Sequence, residues 1–449
     1  MARSPSKLRR ERARRSQSPF LLLSLALIKK HHSKIQYKGS WLMCDKVRIL
    51  FVDDEPNILS GLQRMLRVNR DIWTVYFATG GQEALNVLAE TPVDIVVSDM
   101  RMPGMNGMEL LKEVSERYPD VIRFALSGQA SKDMVLDSIG AVHQYLAKPC
   151  DVDVLKNAIS QISSLRHLVS DKALRSRLTS RQAVPSIPAM YDRLLDELLS
   201  PEVTIDNIAE IVSHDLGMSA RVLQLVSSAF MAEAVYTLQP AEATVFLGAD
   251  VIREILPSGR AFSLPVKNLL TPSEMSEIIQ HSLAVANCAK AIAVCENVDK
   301  DTVKQAYVAG LFHDIGKQIL PEEFPNEWTA WRELSTCEDF KALEMEQKHF
   351  GLTHAEVGAY LMGLWGLSDP VIEAIAFHHN PAGSKAGEFT PLLAVHVADT
   401  MANKILSGTF GDSAMEIDEA YLEEVHLGKR LETWVETCRE SLNKETANV

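Results

Sequence analysis

The stretch that decides the first part of the fold is "VRILFVDDEPNILSGLQRML", residues 47–66. The mainly apolar run at 47–52 is typical of a strand buried on both faces of a sheet. Three acids follow at 53–55, and apolar side chains then recur with helical spacing at Ile58, Leu59, Leu62, Met65 and Leu66. The change from a strand run to a helical face predicts one β-α unit.

The same alternation repeats up to residue 165. Strand-like runs recur at "WTVYFAT", "VDIVVS", "VIRFALS" and "HQYLA", with helical stretches between them and one more helix at the end. Five β-α units predict an α/β doubly wound fold over residues 46–165, with a five-stranded parallel sheet and helices on both faces. Functional groups of such folds gather at the carboxyl ends of the strands.

Four of these strand ends carry side chains with useful chemistry. The first strand runs into Asp53 and Asp54, the third into Asp99, the fourth into Ser127 and the fifth into Lys148. Crowded carboxylates repel one another unless a divalent cation lies among them, and hard oxygen ligands suit Mg²⁺. A carboxylate beside Mg²⁺ can attack a phosphoryl group, whose oxygens then need a cation and a hydrogen-bond donor. We therefore predict a magnesium-dependent phosphoryl-transfer site.

The segments "ILFVDDEPNI", "VDIVVSDMRMPGMNGMELL", "ALSG" and "YLAKPCD" resemble the receiver domain of two-component response regulators, over residues 46–165. The resemblance implies that Asp99 is the phosphoacceptor and that Asp53 and Asp54 bind Mg²⁺ together with it. It further implies that Ser127 is the switch hydroxyl, Lys148 the phosphate-contacting lysine and Tyr145 the switching aromatic. It also implies a cis Lys148–Pro149 bond. The implied phosphodonor is a sensor histidine kinase or a phosphotransfer protein.

The composition is that of a globular protein, with 46% hydrophobic and 23% charged residues. The six cysteines are scattered without a CxxC pair, which is typical of a reducing compartment. No run reaches the roughly 18 apolar residues that a transmembrane helix needs. We therefore expect a cytoplasmic protein without a membrane partner.

The charge is distributed unevenly. Residues 1–42 hold eleven Lys or Arg and one acid, so this basic arm carries about +10 and the rest of the chain about −23. An acidic body is poorly suited to binding phosphates, so we expect no nucleic-acid partner. We expect the arm to be disordered or a misplaced start, with the functional protein beginning at Met43. A DNA-binding regulator is a rival only through this arm, because no basic recognition helix follows.

The segment after the first domain has helical periodicity. Apolar residues at Leu155, Ala158, Ile162, Leu165 and Val169 follow the spacing of a two-stranded coiled coil. One interpretation is a signalling helix, continued in a helical linker at 166–184, that pairs in a homodimer. The other is a last helix that packs on its own sheet.

Residues 185–405 have helical periodicity throughout and predict an all-α domain, followed by a helical extension at 406–449. Eight of the thirteen histidines lie after residue 280. Several fall on predicted buried helical faces, where imidazoles and carboxylates need partners. A shared divalent metal would satisfy His281, His354 and Asp399 together, with His313 and Asp314 completing the shell. The alternative is that each is an ordinary core residue with a hydrogen-bond partner. A second pair, His214-Asp215, has no such companions and is interpreted as a helix-terminal pair.

An ordered set resembles the ligand order of HD-superfamily metal-dependent phosphohydrolases: His281, His313, Asp314, His354, His378, His379 and Asp399. The longer pattern from "IPAMYDRLLDELL" to "AIAFHHNP" resembles an HDOD (HD-related output) domain over most of 185–405. The HDOD resemblance implies a regulatory module that signals to a downstream protein through protein contacts. The HD resemblance implies an alternative, a receiver-gated phosphodiesterase acting on a cyclic dinucleotide or another phosphoester. The Gly-Tyr-Pro tripeptide of cyclic-dinucleotide phosphodiesterases does not follow His378-His379, which argues against that substrate.

Overall fold

The computed structural model describes residues 46–127, 140–148, 152–227, 239–256, 269–334, 342–384, 389–406 and 416–446. The basic arm and Pro149, with its predicted cis bond, lie outside the described residues.

The first domain is a five-stranded parallel sheet with strand order β2-β1-β3-β4-β5. Its strands are β1 (Val47–Val52), β2 (Trp73–Ala78), β3 (Ile95–Asp99), β4 (Ile122–Ser127) and β5 (Gln144–Ala147). Its described helices are α1 (Pro56–Leu66), α2 (Gly81–Glu90), α3 (Gly107–Arg117) and α4 (Val152–Leu165). The predicted doubly wound fold is confirmed.

The central strands form because their side chains are covered on both faces. Ile49, Leu50 and Phe51 of β1 are at most 1% exposed, and Ile95 and Val97 of β3 are fully buried. A parallel strand between two helical layers is therefore a continuous apolar run rather than an alternating one. The pairing of β1 with β3 places the carboxyl ends of both strands at the same edge.

The apolar stripe of α4 is buried within the chain itself. Leu155, Ile162 and Leu165 of the predicted stripe are each 1% exposed, and Ile159 beside them is fully buried. Ala158 of the stripe is half-buried. The helix ends at Leu165, and a separate helix, α5 (Lys172–Ser180), carries the linker. A stripe that is already covered cannot pair with a second copy, so this arrangement does not support the predicted homodimer. The alternative, a last helix that packs on its own sheet, is incomplete, because Leu165 at the end of the helix lies beside Gly363 of the second domain.

The second domain is helical throughout the residues that the structure describes, and this all-α prediction is confirmed. Its helices are α6 (Pro188–Leu199), α7 (Ile205–Ser213), α8 (Leu216–Ser227), α9 (Pro240–Leu247), α10 (Ala249–Ile255), α11 (Pro272–Cys295), α12 (Lys300–Phe312), α13 (Gly316–Glu323), α14 (Pro325–Leu334), α15 (Ala342–Phe350), α16 (His354–Leu364), α17 (Asp369–Phe377), α18 (Pro391–Leu406), α19 (Glu419–Glu424) and α20 (Leu431–Thr446). The longest helix, α11, is central, and α12, α18 and α20 pack against it.

The C-terminal extension belongs to the core of this domain. Trp434 of α20 is fully buried, and its indole Nε1 donates to Glu296 Oε1 at 2.7 Å. Cys438 is fully buried as well. The predicted boundary at 405–406 therefore coincides with the end of α18 and does not separate two cores.

His214-Asp215 lies at a helix end, as the sequence predicts. His214 is the C-cap of α7, and the Asp215 carboxylate accepts from the backbone N of Ile187 at 2.7 Å and of Met218 at 2.8 Å. These bonds use Asp215 as a structural cap.

By length and composition, one helix among the described residues could cross a membrane, and this helix is α11. Its apolar window is 56% buried inside the protein, and core helices of this kind pass the same test. The observation is weak evidence for a membrane span.

Candidate functional site

The acidic site lies at the carboxyl edge of the sheet. Asp53 follows β1 and Asp99 ends β3, and one carboxylate oxygen from each of Asp53, Asp54 and Asp99 lies within 4.8 Å of the others. Asp53 is buried, while the other two are half-buried. Three carboxylates this close need a compensating cation, and oxygen donors of this kind fit Mg²⁺.

Lys148 supplies one positive charge at this edge. Its Nζ lies 2.7 Å from Asp53 Oδ2 and 3.0 Å from Asp99 Oδ1. Burial alone would lower the pKa of Lys148, but the two carboxylates raise it above its ordinary value. The lysine therefore stays protonated beside the carboxylate predicted to accept a phosphoryl group.

The loop after Asp99 needs a glycine where it returns to the strand. A Cβ on Gly107 would lie 1.9 Å from the Asp99 carbonyl oxygen, and Gly107 N donates to Met100 O at 3.1 Å. Helix α3 then begins with a capping box in which Asn106 Oδ1 accepts from Glu109 N at 2.9 Å. This close approach fixes the backbone of Asp99.

The two predicted switch residues lie on neighbouring strands. Ser127 ends β4, which pairs with β3, but its side chain is outside what the structure describes. Tyr145 lies on β5 and is 8% exposed. Burial raises the pKa of Tyr145, while the positive charge of Arg221 on α8 opposes the rise. Tyr145 is therefore buried near the second domain.

The receiver and the helical domain are joined by hydrogen bonds to backbone carbonyls. Gln144 Nε2 of β5 donates to Gly363 O at 3.0 Å and to Leu364 O at 3.3 Å, both at the end of α16. Gln161 Nε2 of α4 donates to Leu367 O at 3.0 Å. Sequence reasoning missed these residues because a glutamine that binds a distant carbonyl leaves no periodic signal.

The histidine centre is built where five helices meet. His281 lies on α11, His313 and Asp314 follow α12, His354 begins α16, His378 and His379 follow α17, and Asp399 lies on α18. The structure therefore brings all seven predicted residues together. The Thr353–Glu356 capping box sets the start of α16. A Cβ on Gly316 would lie 2.0 Å from His354 O, so a glycine is required there.

The ligand atoms form two groups. In the first, His281 Nε2 lies 3.2 Å from His313 Nε2 and 3.0 Å from Asp399 Oδ1. In the second, His354 Nε2 lies 3.0 Å from His379 Nε2. Each group satisfies the spacing of a metal site, and the second also contains Asp314 and His378.

Asp314 connects the two groups through its two oxygens. Oδ1 lies 3.0 Å from His354 Nε2, whereas Oδ2 lies 3.3 Å from His313 Nε2. Lys317 also contacts this carboxylate, with its Nζ 2.7 Å from Asp314 Oδ2. This carboxylate could therefore serve as a ligand in both groups.

The outer ring nitrogens are held by acceptors. His313 Nδ1 donates to Gly310 O at 2.7 Å, and His378 Nδ1 donates to Ile375 O at 2.8 Å. His354 Nδ1 donates to Glu346 Oε2 at 2.8 Å. Anchoring Nδ1 in this way orients Nε2 as a metal ligand. Glu346 lies on α15, eight residues before its partner, and no sequence pattern marks it.

Burial and charge make the centre a fitting place for cations. Burial and the neighbouring histidines lower the pKa of His378, so its ring is neutral, and the bond to Ile375 O places the one ring proton on Nδ1. The buried Nε2 therefore carries no proton, and it has no hydrogen-bond partner among the described residues. Burial alone would lower the pKa of His313, but Asp314 and Asp399 raise it to about 10. Without metal, a proton on His313 balances part of the carboxylate charge, and metal binding would displace such protons.

His396 supports the centre from behind and was also missed. It is buried on α18; its Nδ1 donates to His378 O at 2.7 Å, and its Nε2 accepts from Asp418 N at 2.9 Å. This histidine ties the C-terminal extension to the backbone of a candidate ligand.

Two family models match the chain in the order in which the two sites occur. Residues 49–160 match the response regulator receiver domain, and residues 184–381 match the HDOD domain. The chain therefore contains a receiver domain followed by an HDOD domain, which is the architecture of a response regulator.

Relatives share parts of this architecture. The hydrogenase transcriptional regulatory protein HoxA of Cupriavidus necator is 27% identical over 224 residues, 46% of this chain and 46% of that protein. The transcriptional regulatory protein GlrR of Escherichia coli is 28% identical over 203 residues, 45% of this chain and 42% of that protein. The chain thus spans under half the length of these curated relatives.

Among solved structures, the signal receiver domain of an HD domain-containing protein from Pseudomonas fluorescens is similar to part of the chain. The two sequences are 30% identical, and the matched region covers 30% of this chain and 94% of the receiver structure, with a TM-score of 0.26.

Proposed function

We propose that the chain is a phosphorelay response regulator in which Asp99 accepts a phosphoryl group from a sensor histidine kinase or a phosphotransfer protein. The observation that carries this proposal is the convergence of Asp53, Asp54 and Asp99 with the Lys148 ammonium at one sheet edge. A carboxylate oxygen of Asp99 attacks phosphorus as the bond to the donor breaks, which leaves an acyl phosphate on Asp99. Lys148 offsets the charge of the transferred oxygens.

Asp53, Asp54 and Asp99 would hold Mg²⁺ at this edge. When bound, Mg²⁺ would neutralise negative charge on the oxygens of the phosphoryl group during its transfer. Ser127 is proposed to donate a hydrogen bond to the bound phosphoryl group, and Tyr145 to respond as the switching aromatic.

The proposed route to the HDOD domain runs through β5 and α16. Lys148 follows β5 directly, and Gln144 at the start of β5 binds the last carbonyls of α16. The first residue of the same helix is His354, a member of the histidine centre. A shift of β5 would therefore move a helix that has its other end in that centre. The output is proposed to reach a downstream protein through protein contacts, in the cytoplasm and without nucleic acid.

Labelling from a small phosphodonor tests the acceptor. Acetyl phosphate with Mg²⁺ should label the wild-type chain, and Asp99→Asn should abolish the label because no other side chain occupies the acceptor position. Asp71→Asn, which removes an exposed acid of the same domain, is the matched control and should label normally. Undiminished labelling of the Asp99→Asn protein would contradict the proposal.

A second function is favoured by the convergence of the ring nitrogens and by the buried Nε2 of His378, which has no hydrogen-bond partner in the described part of the chain. The centre is proposed to hold divalent metal, with Asp314 bridging the two ligand groups. Metal-dependent phosphodiester hydrolysis is the corresponding enzymatic candidate. His313, Asp314 and Asp399 are at most 2% exposed, while the His281 side chain is 14% exposed. This burial favours a retained ion over a site open to a large phosphoester.

Elemental analysis separates these possibilities. The purified full chain should carry divalent metal, and His313→Ala should lose most of it because one ligand of the first group is gone. His214→Ala is the matched control, since it removes the histidine of the structural His-Asp pair. Unchanged metal content in His313→Ala would contradict the metal site. If the metal-replete chain hydrolyses neither cyclic dinucleotides nor a generic phosphodiester, the enzymatic candidate is rejected.

A further inference from the structure

A cleft of about 430 Å³ lies at the amino-terminal ends of β1, β3 and β4, at the opposite end of the sheet from Asp99. Its walls come from three parts of the chain: Arg48 and Asp94 of the receiver, Arg166, Lys172 and Arg175 of the linker, and Tyr360 of the HDOD domain. Small-molecule pockets commonly have volumes of about 300–1,000 Å³. The cleft is therefore large enough for a nucleotide-sized ligand.

Two of the cationic side chains are held in place by one carboxylate. Arg48 Nη2 lies 2.9 Å from Asp94 Oδ1, and Arg48 Nε donates to Asp94 Oδ2 at 3.0 Å. Arg166 Nη2 donates to the same Oδ1 at 3.1 Å. One carboxylate shared by two guanidinium groups leaves an excess of one positive charge in the wall.

Two further cations have no carboxylate partner in the described part of the chain. Lys172, the first residue of α5, is exposed and makes no ion pair there. Arg175 Nη1 donates to the backbone at Val169 O, at 3.0 Å, which orients the guanidinium. One more acid, Asp120, lies in the wall and is exposed. Four cations against two carboxylates make the cleft a net positive site, which favours an anionic ligand.

The remaining walls suit a planar organic group. Tyr118 is half-buried there, and Val93 and Val121 are buried beside it. We propose that the cleft binds a small organic phosphate of nucleotide size, with phosphate oxygens on Arg175 and Lys172 and the ring on Tyr118. Arginine suits this role because its planar fork binds two phosphate oxygens at once.

Such a ligand would act on the arrangement of the domains. It contacts the receiver, the linker and Tyr360, whose hydroxyl lies 2.7 Å from Thr179 Oγ1 of α5. A ligand that binds only while the receiver, the linker and the HDOD domain are in contact stabilises this docked state. The cleft would therefore make the docked state responsive to the concentration of the ligand.

Calorimetric titration of the full chain with ADP and with pyrophosphate tests the proposal. A chelator is present so that neither the acidic site nor the histidine centre binds phosphate through metal. We expect saturable binding of ADP, weakened at least about tenfold by Lys172→Ala combined with Arg175→Ala. Lys172→Glu, which removes no side-chain hydrogen bond seen among the described residues, should weaken ADP binding as well. Pyrophosphate should bind more weakly than ADP because it lacks the ring.

The matched control is Arg64→Ala combined with Arg67→Ala, which removes two exposed cations of α1 and its end. This variant should bind ADP as the wild type does. The proposal is overturned if neither probe shows saturable binding, or if Lys172→Glu and the double variant bind ADP with wild-type affinity. Equal affinity for ADP and pyrophosphate would overturn the contact with Tyr118.

Discussion

The hydrogen bonds of the buried His143 side chain require a neutral ring. His143 lies just before β5, where its Nδ1 accepts from Arg123 N at 3.0 Å and its Nε2 donates to Thr179 O of α5 at 2.9 Å. The hydrogen-bond network thus assigns the neutral ring with its proton on Nε2. Burial, with a smaller contribution from Arg123, lowers the pKa of His143 well below its ordinary value.

This residue predicts a pH dependence of stability. Because the folded pKa is depressed, the unfolded chain takes up a proton below about pH 6.5 while the folded chain does not. The contribution of His143 to the free energy of unfolding is therefore fully present above that pH and falls by about 1.4 kcal/mol for each pH unit below it. His143→Gln should lose less free energy of unfolding than the wild type between pH 7.5 and 5.5 in urea titrations. An equal loss in both proteins would contradict this assignment.

At the scale of elements, the contact of α4 with α16 depends on a missing side chain. A Cβ on Gly363 would lie 2.5 Å from Leu165 Cδ1 and 3.0 Å from Ile372 Cδ1. Leu165 is 1% exposed and Ile372 is fully buried, so neither can move aside into solvent. The same glycine presents its carbonyl to Gln144. Docking of the receiver therefore requires a glycine at this point of α16.

We expect Gly363→Ala to weaken docking by about 1–3 kcal/mol, because the added methyl group overpacks this contact. The measurement is the rate of limited proteolysis in the linker between α4 and α5, which should rise when the two domains separate. Gly61→Ala is the matched control, since a Cβ there meets no atom within 4 Å. Unchanged cleavage in Gly363→Ala would show that this contact does not hold the domains together.

At the scale of the whole molecule, one helix joins the domain contact to the histidine centre. Helix α16 begins with His354 and ends with Leu364, whose carbonyl accepts from Gln144 Nε2 at 3.3 Å. The acidic site reaches the same contact through β5 and Lys148. Two sites that share one rigid element can be coupled, and such coupling is reciprocal in binding free energy.

We therefore expect beryllofluoride, a phosphoryl mimic at Asp99, to change the affinity of the histidine centre for Zn²⁺ by about fivefold or more at constant Mg²⁺. Equilibrium dialysis measures both affinities. Gln144→Ala should remove the coupling while both sites still bind, whereas Gln82→Ala, an exposed glutamine of α2, should retain it. Coupling that persists in Gln144→Ala would exclude this route.

The sequence by itself determined the α/β fold, the acids at the strand ends and the membership of the histidine set. Those features are local, because the spacing of apolar side chains along the sequence predicts a buried strand or the buried face of a helix. The family resemblance added their roles.

Only the tertiary structure decided what those elements contact. The stripe of α4 fits a coiled coil and an intramolecular contact equally well, and Gly363 in a distant helix selects the second. Glu346 and Gln144 contact their partners, His354 and Gly363, only because the helices and domains pack together. The residues next to them in the sequence do not predict these contacts. The physical reason is that secondary structure follows from nearby residues, whereas a hydrogen bond across 219 positions exists only after both domains have packed.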